Sequence, residues 1–548
     1  MCNTPLCIVA IALLQLPSFM AVSTPHSPYT QYTTTSTNHD ITPNQGDGYN
    51  TLNTNLVYPA DFLYGVATAA YQIEGCVDCD NRSASQWDIY SHMNNSIANN
   101  DTGDIADDSY DQWKLDLQHL IELGVNSYRF SISWSRVLPH GINPINQLAI
   151  DHYNMVIDDC LQYDIMPMIT MYHWDLPYEL STLAPADIKL ADGFNDINAI
   201  LPYWLDYVDT LFDAFGDRVQ LWATVNEIRS ICFAPINHVL REQNWDESTS
   251  PYNCAHTLLL LHAYAVQLYR TKYQSIQLGN ISLVIDAGWS EPLTHTHHDK
   301  QAAKRSLIWG VNWLLEPLLY GHYPQIMIDR VGDRLPQFTA NQSALLNNSI
   351  DFICLNHYTS RYISNNSTTR DLSPDESTYY TDSDSNSLVE RHGKLIGPHG
   401  ESEWLYSVPW GITKLLRYID SEFNHPIIYI TENGYDVRGE SDMSISDAIH
   451  DIDRVQYYQQ YLHHISLAMQ HGVDIRGYYA WSLLDNFEWN DGYTKRFGII
   501  YIDYNDSQRT RYRKDSYKWY RQWITNKRSI YNNTQQYAIQ NIYNNKHC

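Results

Sequence analysis

Eight short apolar runs, rich in β-branched and aromatic residues, recur along this chain, and each is reached through a helix or a helical connection. They lie at 62–68, 127–132, 165–171, 219–224, 281–285, 352–355, 426–431 and 477–481. Between them the apolar period changes to that of a helix: Trp113, Leu117, Leu120 and Ile121 share one face of a helix that begins near Tyr110 and stops at Gly124. Similar stretches fall at 148–161, 203–216, 258–269, 302–313, 411–418 and 455–470. Eight such units in 548 residues predict a single α/β domain, a closed (β/α)8 TIM barrel with long βα loops, rather than an open doubly wound sheet. Long polar insertions, notably 364–397, are expected to be loops.

Charge narrows the partners. Against 35 basic residues stand 62 acidic ones, a formal net charge of -27, which excludes nucleic acid or an anionic membrane as main partner because both carry the same sign. A neutral small-molecule substrate is expected, and the 43 Tyr and 16 Trp supply aromatic faces that suit sugar rings. Residues 1–23 read as a secretory signal peptide with Ala21-Val22-Ser23 as cleavage site, 24–55 as a flexible polar lead-in, 56–525 as the catalytic barrel and 526–548 as a polar tail. No later run reaches membrane-spanning length, so the expected destination is secreted or extracellular, or a lysosomal or vacuolar lumen, with no membrane insertion after signal removal. N-x-S/T sequons such as those at Asn81, Asn280 and Asn505 fit that route. Cys76 and Cys79 are expected in a disulfide, with each other or elsewhere, and Cys232 with Cys254 form a second candidate pair. Oligomeric state is not legible.

Side chains at the C-terminal ends of the strands build the active site of such barrels. Those ends bring Gln72, Arg129, His173-Trp174-Asp175, Asn226-Glu227, Asn356-His357-Tyr358, Glu432, Trp481 and Glu488-Trp489 towards one mouth. Alone, Glu432 reads as readily as a helix cap or the partner of an Arg. With Glu227 across an aromatic pocket, it supplies what glycoside hydrolysis needs, one carboxyl to protonate the leaving oxygen and one to attack the anomeric carbon or activate water. Metal is not expected. Asp101, Asp104, Asp107 and Asp108 resemble a calcium loop but lack its closing Glu, which favours a structural loop, and His295, His297 and His298 read as an exposed polar loop. No Gly-rich phosphate loop is present and no cofactor is expected.

The chain resembles the family 1 glycoside hydrolases, the β-glucosidase, lactase and myrosinase group. The resemblance rests on FLYGVATAAYQIEG (62–75), YRFSISWSR (128–136), HWDLP (173–177), TVNE (224–227), NHYT (356–359), YITENG (429–434) and WSLLDNFEW (481–489), in family order. It implies a retaining double displacement on terminal β-D-glucosides, extending to β-galactosides or β-fucosides, with Glu432 as nucleophile and Glu227 as acid/base. Arg129 and Tyr358 match positions that hold the nucleophile ionised. Gln72, His173, Asn226, Asn356, Glu488 and Trp489 match the sugar-binding set; Trp481 matches the floor of that subsite, and Trp404 the aglycone platform.

Ile228 departs from the pattern, since the family usually has Pro there, and the expected result is a looser turn behind Glu227. An intact Glu227 argues against a myrosinase, in which Gln replaces it. The alternative from another class is a klotho-like, non-catalytic glycan- or protein-binding module. Such modules typically lack a catalytic carboxylate, and this chain has both.

Overall fold

A ring of eight parallel strands forms the centre of the protein, and the first strand pairs with the last so that the ring closes on itself. The computed structural model describes residues 58–233, 246–367 and 376–529. The signal peptide and lead-in expected through residue 55 lie outside the described residues. The strands are β1 Leu63–Ala67, β2 Ser127–Ser131, β3 Met166–Tyr172, β4 Leu221–Asn226, β5 Asn280–Asp286, β6 Ile353–Asn356, β7 Ile428–Asn433 and β8 Ile475–Trp481. They read as near-continuous apolar runs because ring and helices bury both faces of each strand. Each therefore ends where polar side chains begin.

The outer layer follows from helical stripes. Helix α1 (Ser109–Leu123) buries Trp113, Leu117, Leu120 and Leu123, and stops where Gly124 adopts φ 80°, a left-handed cap that glycine takes without strain. Ile121, expected on that inner face, is instead exposed. Helix α2 covers Gln147–Gln162, and α3 (Ile197–Phe215) buries Ile200, Trp204, Tyr207, Val208, Leu211, Phe212 and Phe215. Each such side chain contributes roughly 1.5–3 kcal/mol when fully buried. Helices α4 (Ser250–Leu268), α5 (His297–Leu307), α6 (Pro409–Glu422) and α7 (Ile452–Gln470) continue the layer, and α5 runs on through a wide turn, Ile308–Asn312, into Trp313–Tyr320. No helix among the described residues is long and apolar enough to cross a membrane.

Three further expectations are corrected. His297 and His298 form the first turn of α5, with Thr296 capping the Asp299 N–H, rather than a loop. The insertion expected as loop carries strands: Arg361–Asn365 pairs with Ser290–Pro292 and Ser385–Leu388, and Glu390–Arg391 with Lys394–Leu395. Backbone pairing at this exposed edge needs little of the apolar alternation used to find strands. Finally, the last described helix spans 515–529, so the polar stretch from Asn526 begins as helix; the remainder lies outside the described residues.

Candidate active site

A cavity of about 560 Å³ opens among the residues at and beyond the C-terminal ends of the strands, and both Glu227 and Glu432 line it. Glu432, near the end of β7, receives one donor on each oxygen: Arg129 Nη1 at 2.5 Å on Oε1 and the Tyr358 hydroxyl at 2.6 Å on Oε2. Arg129 projects from β2 and is 1% exposed, a placement that demands a partner for every donor. Thr431 O, Thr170 Oγ1 and Asn226 Oδ1 take three more of its five N–H donors, at 3.2, 3.0 and 2.7 Å. Burial and the charge of Glu432 push the Tyr358 hydroxyl well above the usual tyrosine range, which keeps it a donor.

Glu227 follows β4 directly, at φ 52°, a left-handed conformation that costs a non-glycine residue about 1 kcal/mol. Its N–H donates to Val284 O at 3.0 Å, and its carbonyl accepts from the Ile231 N–H, opening the helix Ile228–Phe233. The carboxyl accepts from Asn356 Nδ2 at 2.6 Å, and Thr431 Oγ1 donates to the other end of that amide at 2.8 Å. Burial first, then the negative charges of Asp286 and Glu432, outweigh that bond and push the Glu227 carboxyl up to about 8. Asp286 ends β5 and is ion-paired to Arg229. Ile228, expected to loosen this turn, is wholly buried in the core, and Cys232 is disulfide-bonded to Cys254 of α4, so packing and a crosslink hold the helix where proline's ring is missing. Cys76 and Cys79 are also bonded to each other.

On the deep side, Asn226 Nδ2 donates to His173 Nε2 at 3.1 Å, leaving the ring proton on Nδ1. Burial and the charge of Arg129 hold that imidazole neutral, well below the usual histidine range. Glu488 is raised well above the usual carboxyl range by burial and then by Asp491, Asp436, Glu432 and Glu227. Trp481 stacks on His173 with ring centres 5.8 Å apart. Trp489 packs between Trp174 at 4.6 Å and Trp87 at 4.7 Å. Trp404 marks the rim, 44% exposed and edge-on to Tyr358 at 5.6 Å.

Asn226, Asn356, His173, Tyr358, Trp404, Trp481, Glu488 and Trp489 line the cavity with the two glutamates. Gln72 does not: it is fully buried and its amide donates to Asn486 Oδ1 and Phe487 O, both at 2.9 Å, so it braces the segment carrying Glu488. The reading of strand ends missed Asp286, Arg229, Phe233 and Phe497, all on the cavity wall. Asp286 was signalled by a carboxylate one residue past the apolar run 281–285, as Glu432 was after its own run.

Among the described residues no group of three or more His, Cys, Asp and Glu side chains could hold a metal ion. Asp101 and Asp107 serve the structure instead, accepting from the Tyr493 N–H and the Tyr504 hydroxyl, each at 3.0 Å.

A family model described as Glycosyl hydrolase family 1 matches residues 54–529. Beta-glucosidase 24 of Oryza sativa subsp. japonica is 43% identical over 484 residues, 86% of this chain and 94% of that protein. Coniferin beta-glucosidase of Pinus contorta is 41% identical over 487 residues, 85% of this chain and 92% of its own. The crystal structure of a GH1 beta-glucosidase from the fungus Humicola insolens in complex with glucose matches with a TM-score of 0.80 at 36% identity, covering 86% of this chain and 98% of that one. With the closed barrel and both cavity glutamates inside the matched span, the chain belongs to glycosyl hydrolase family 1.

Proposed function

We propose that this protein hydrolyses terminal nonreducing β-D-glucosides with retention, through a covalent glycosyl-enzyme on Glu432. The observation that carries the reading is the unequal pair of carboxyls on one cavity: Glu432 faces a guanidinium and a phenol, while Glu227 is pushed to the protonated side.

In the first step Glu432 attacks the anomeric carbon as Glu227 gives its proton to the departing glycosidic oxygen, so the C–O bond to the aglycone breaks as the ester bond forms. Esterification removes the charge on Glu432, one of the causes that keep Glu227 protonated. Glu227, now ionised, draws a proton from water, whose oxygen displaces Glu432 and restores the β configuration. Asn226, fixed by Arg129 and His173, and Glu488, braced through Gln72, grip the sugar hydroxyls, and Trp481 underlies the ring. Glu488 can accept either epimer at the 4-hydroxyl, so β-galactosides and β-fucosides fall within range.

The test is turnover of an aryl β-glucoside. Glu432→Gln and Glu227→Gln are each expected to lose at least about a thousandfold while remaining folded, and NMR should show the β-anomer first. Undiminished turnover by Glu432→Gln, or an α-anomer formed first, would sink the reading. The two disulfides and the sequons support entry into the secretory route, with a secreted, lysosomal or vacuolar destination.

A further inference from the structure

Four residues beyond Glu432 the chain reaches Asp436, whose side chain is wholly buried. A carboxylate so placed is costly unless its oxygens are bonded. Its partners come from the loop ahead of α6: Oδ2 accepts from the Ser402 N–H at 2.8 Å and from the Ser402 hydroxyl, and Oδ1 accepts from the Glu401 N–H at 3.1 Å. Gly400 permits the approach, because a Cβ there would lie 2.3 Å from Asp436 Oδ1. The clamp has a second strand, in which Glu401 Oε2 accepts from the Gly439 N–H at 2.8 Å.

Two residues past Ser402 the same loop carries Trp404. Its ring lies edge-on to Tyr358, with an interplanar angle of 88°, and near-parallel to Phe497 at 6.4 Å. Tyr358 in turn donates to Glu432. The rim tryptophan is therefore tied to the nucleophile's strand twice, through Asp436 behind and through Tyr358 in front.

We propose that Asp436 is a positioning residue for aglycone selection, holding the 400–402 segment to the extension of β7 so that Trp404 stands as a preformed platform for a flat, aromatic leaving group. The proposal rests on the glycosidase reading for the direction the leaving group takes. A platform ordered before binding spares the complex the cost of ordering it. Asp436→Asn would turn one acceptor towards its N–H and O–H partners as a donor, so the isosteric change breaks the clamp.

Calorimetry with two non-hydrolysed ligands tests this, phenyl 1-thio-β-D-glucoside and methyl 1-thio-β-D-glucoside, which share the sugar and differ in the ring. Asp436→Asn should weaken the phenyl ligand about tenfold and leave the methyl ligand within about twofold. Trp404→Ala should give the same split, and the double variant should be no worse than Trp404→Ala alone. Ser402→Ala, which removes only the hydroxyl from the clamp, should move the phenyl ligand about threefold in the same direction and carries the test should Asp436→Asn not fold. Equal weakening of both ligands, no change in either, or full additivity with Trp404→Ala would overturn the proposal. If the split appears in a protein that turns over no β-glycoside, the platform role stands and the hydrolase reading fails.

Discussion

Asn356 Nδ2 donates to Glu227 Oε1 at 2.6 Å, a bond that favours the ionised carboxyl and so opposes the burial that protonates it. Asn356→Ala should therefore raise the Glu227 pKa further. The expected result is a basic limb of the kcat/KM profile displaced to higher pH and a maximum lowered by about tenfold, the value of one such hydrogen bond. A basic limb that stays in place would contradict this.

Asp286 works in the opposite direction, its charge helping to keep the proton on Glu227. Asp286→Asn removes that charge and leaves Arg229 without its carboxylate partner, and both changes favour ionised Glu227. The basic limb should fall by about one pH unit. Rate measurements on one aryl glucoside across pH 5 to about 9 would read it directly.

Raising the pKa of a buried acid also has a stability sign. Between the usual glutamate value of 4.5 and about 8, folded Glu227 holds a proton that the unfolded chain has released. Stability from this group is therefore present at low pH and lost as pH rises through that window. Glu227→Gln, always neutral, should melt higher than the parent at pH 8, on the order of 2 °C, and alike at pH 4. Equal melting curves at both pH values would refute the assignment.

Tyr358→Phe deletes the donor to Glu432 Oε2 and little else, because the ring's contact with Trp404 remains. A hydrogen bond to a charged group is worth about 1.5–3 kcal/mol, so kcat/KM should drop roughly ten- to a hundredfold with the melting temperature nearly unchanged.

The Cys232–Cys254 crosslink closes a loop with a sequence separation of 22 between the helix behind Glu227 and α4. Cys254→Ser should cost about 3 kcal/mol of stability by chain entropy. Because the anchored helix begins one residue after the acid/base, activity at a fixed temperature should decline before global unfolding. Coincident loss of activity and circular dichroism would show that the bond serves the whole fold and not the site.

The barrel was legible because buried parallel strands are short, apolar and abruptly ended, and the observed strands begin and end within about two residues of the runs read from sequence. The chemistry was legible where a polar residue closes such a run, as at Glu432 and Asn226. It was lost where the run looked complete one residue early, as at Asp286, and where a helix turn rather than a strand aims the side chain, as at Arg229 and Phe233. Gln72 shows another limit of the sequence: its place after β1 is as read, but its amide nitrogen also bonds Asn486 and Phe487, partners more than four hundred residues away that no local pattern announces.

β1 pairs with β8 along its whole length, Leu63 opposite Gly477 through Ala67 opposite Trp481. The helix 515–529 then lies across that seam, where the Tyr520 hydroxyl donates to Gly65 O and Trp523 packs on Tyr58 and Tyr64. For a chain made from its N-terminus, this means that the first strand emerges from the ribosome with one edge bare and keeps it bare until β8 follows, roughly four hundred residues later. Open strand edges invite pairing with other chains. The seam that closes the barrel is therefore also the last to be protected during synthesis, and β1 stays open to such pairing until β8 has been made.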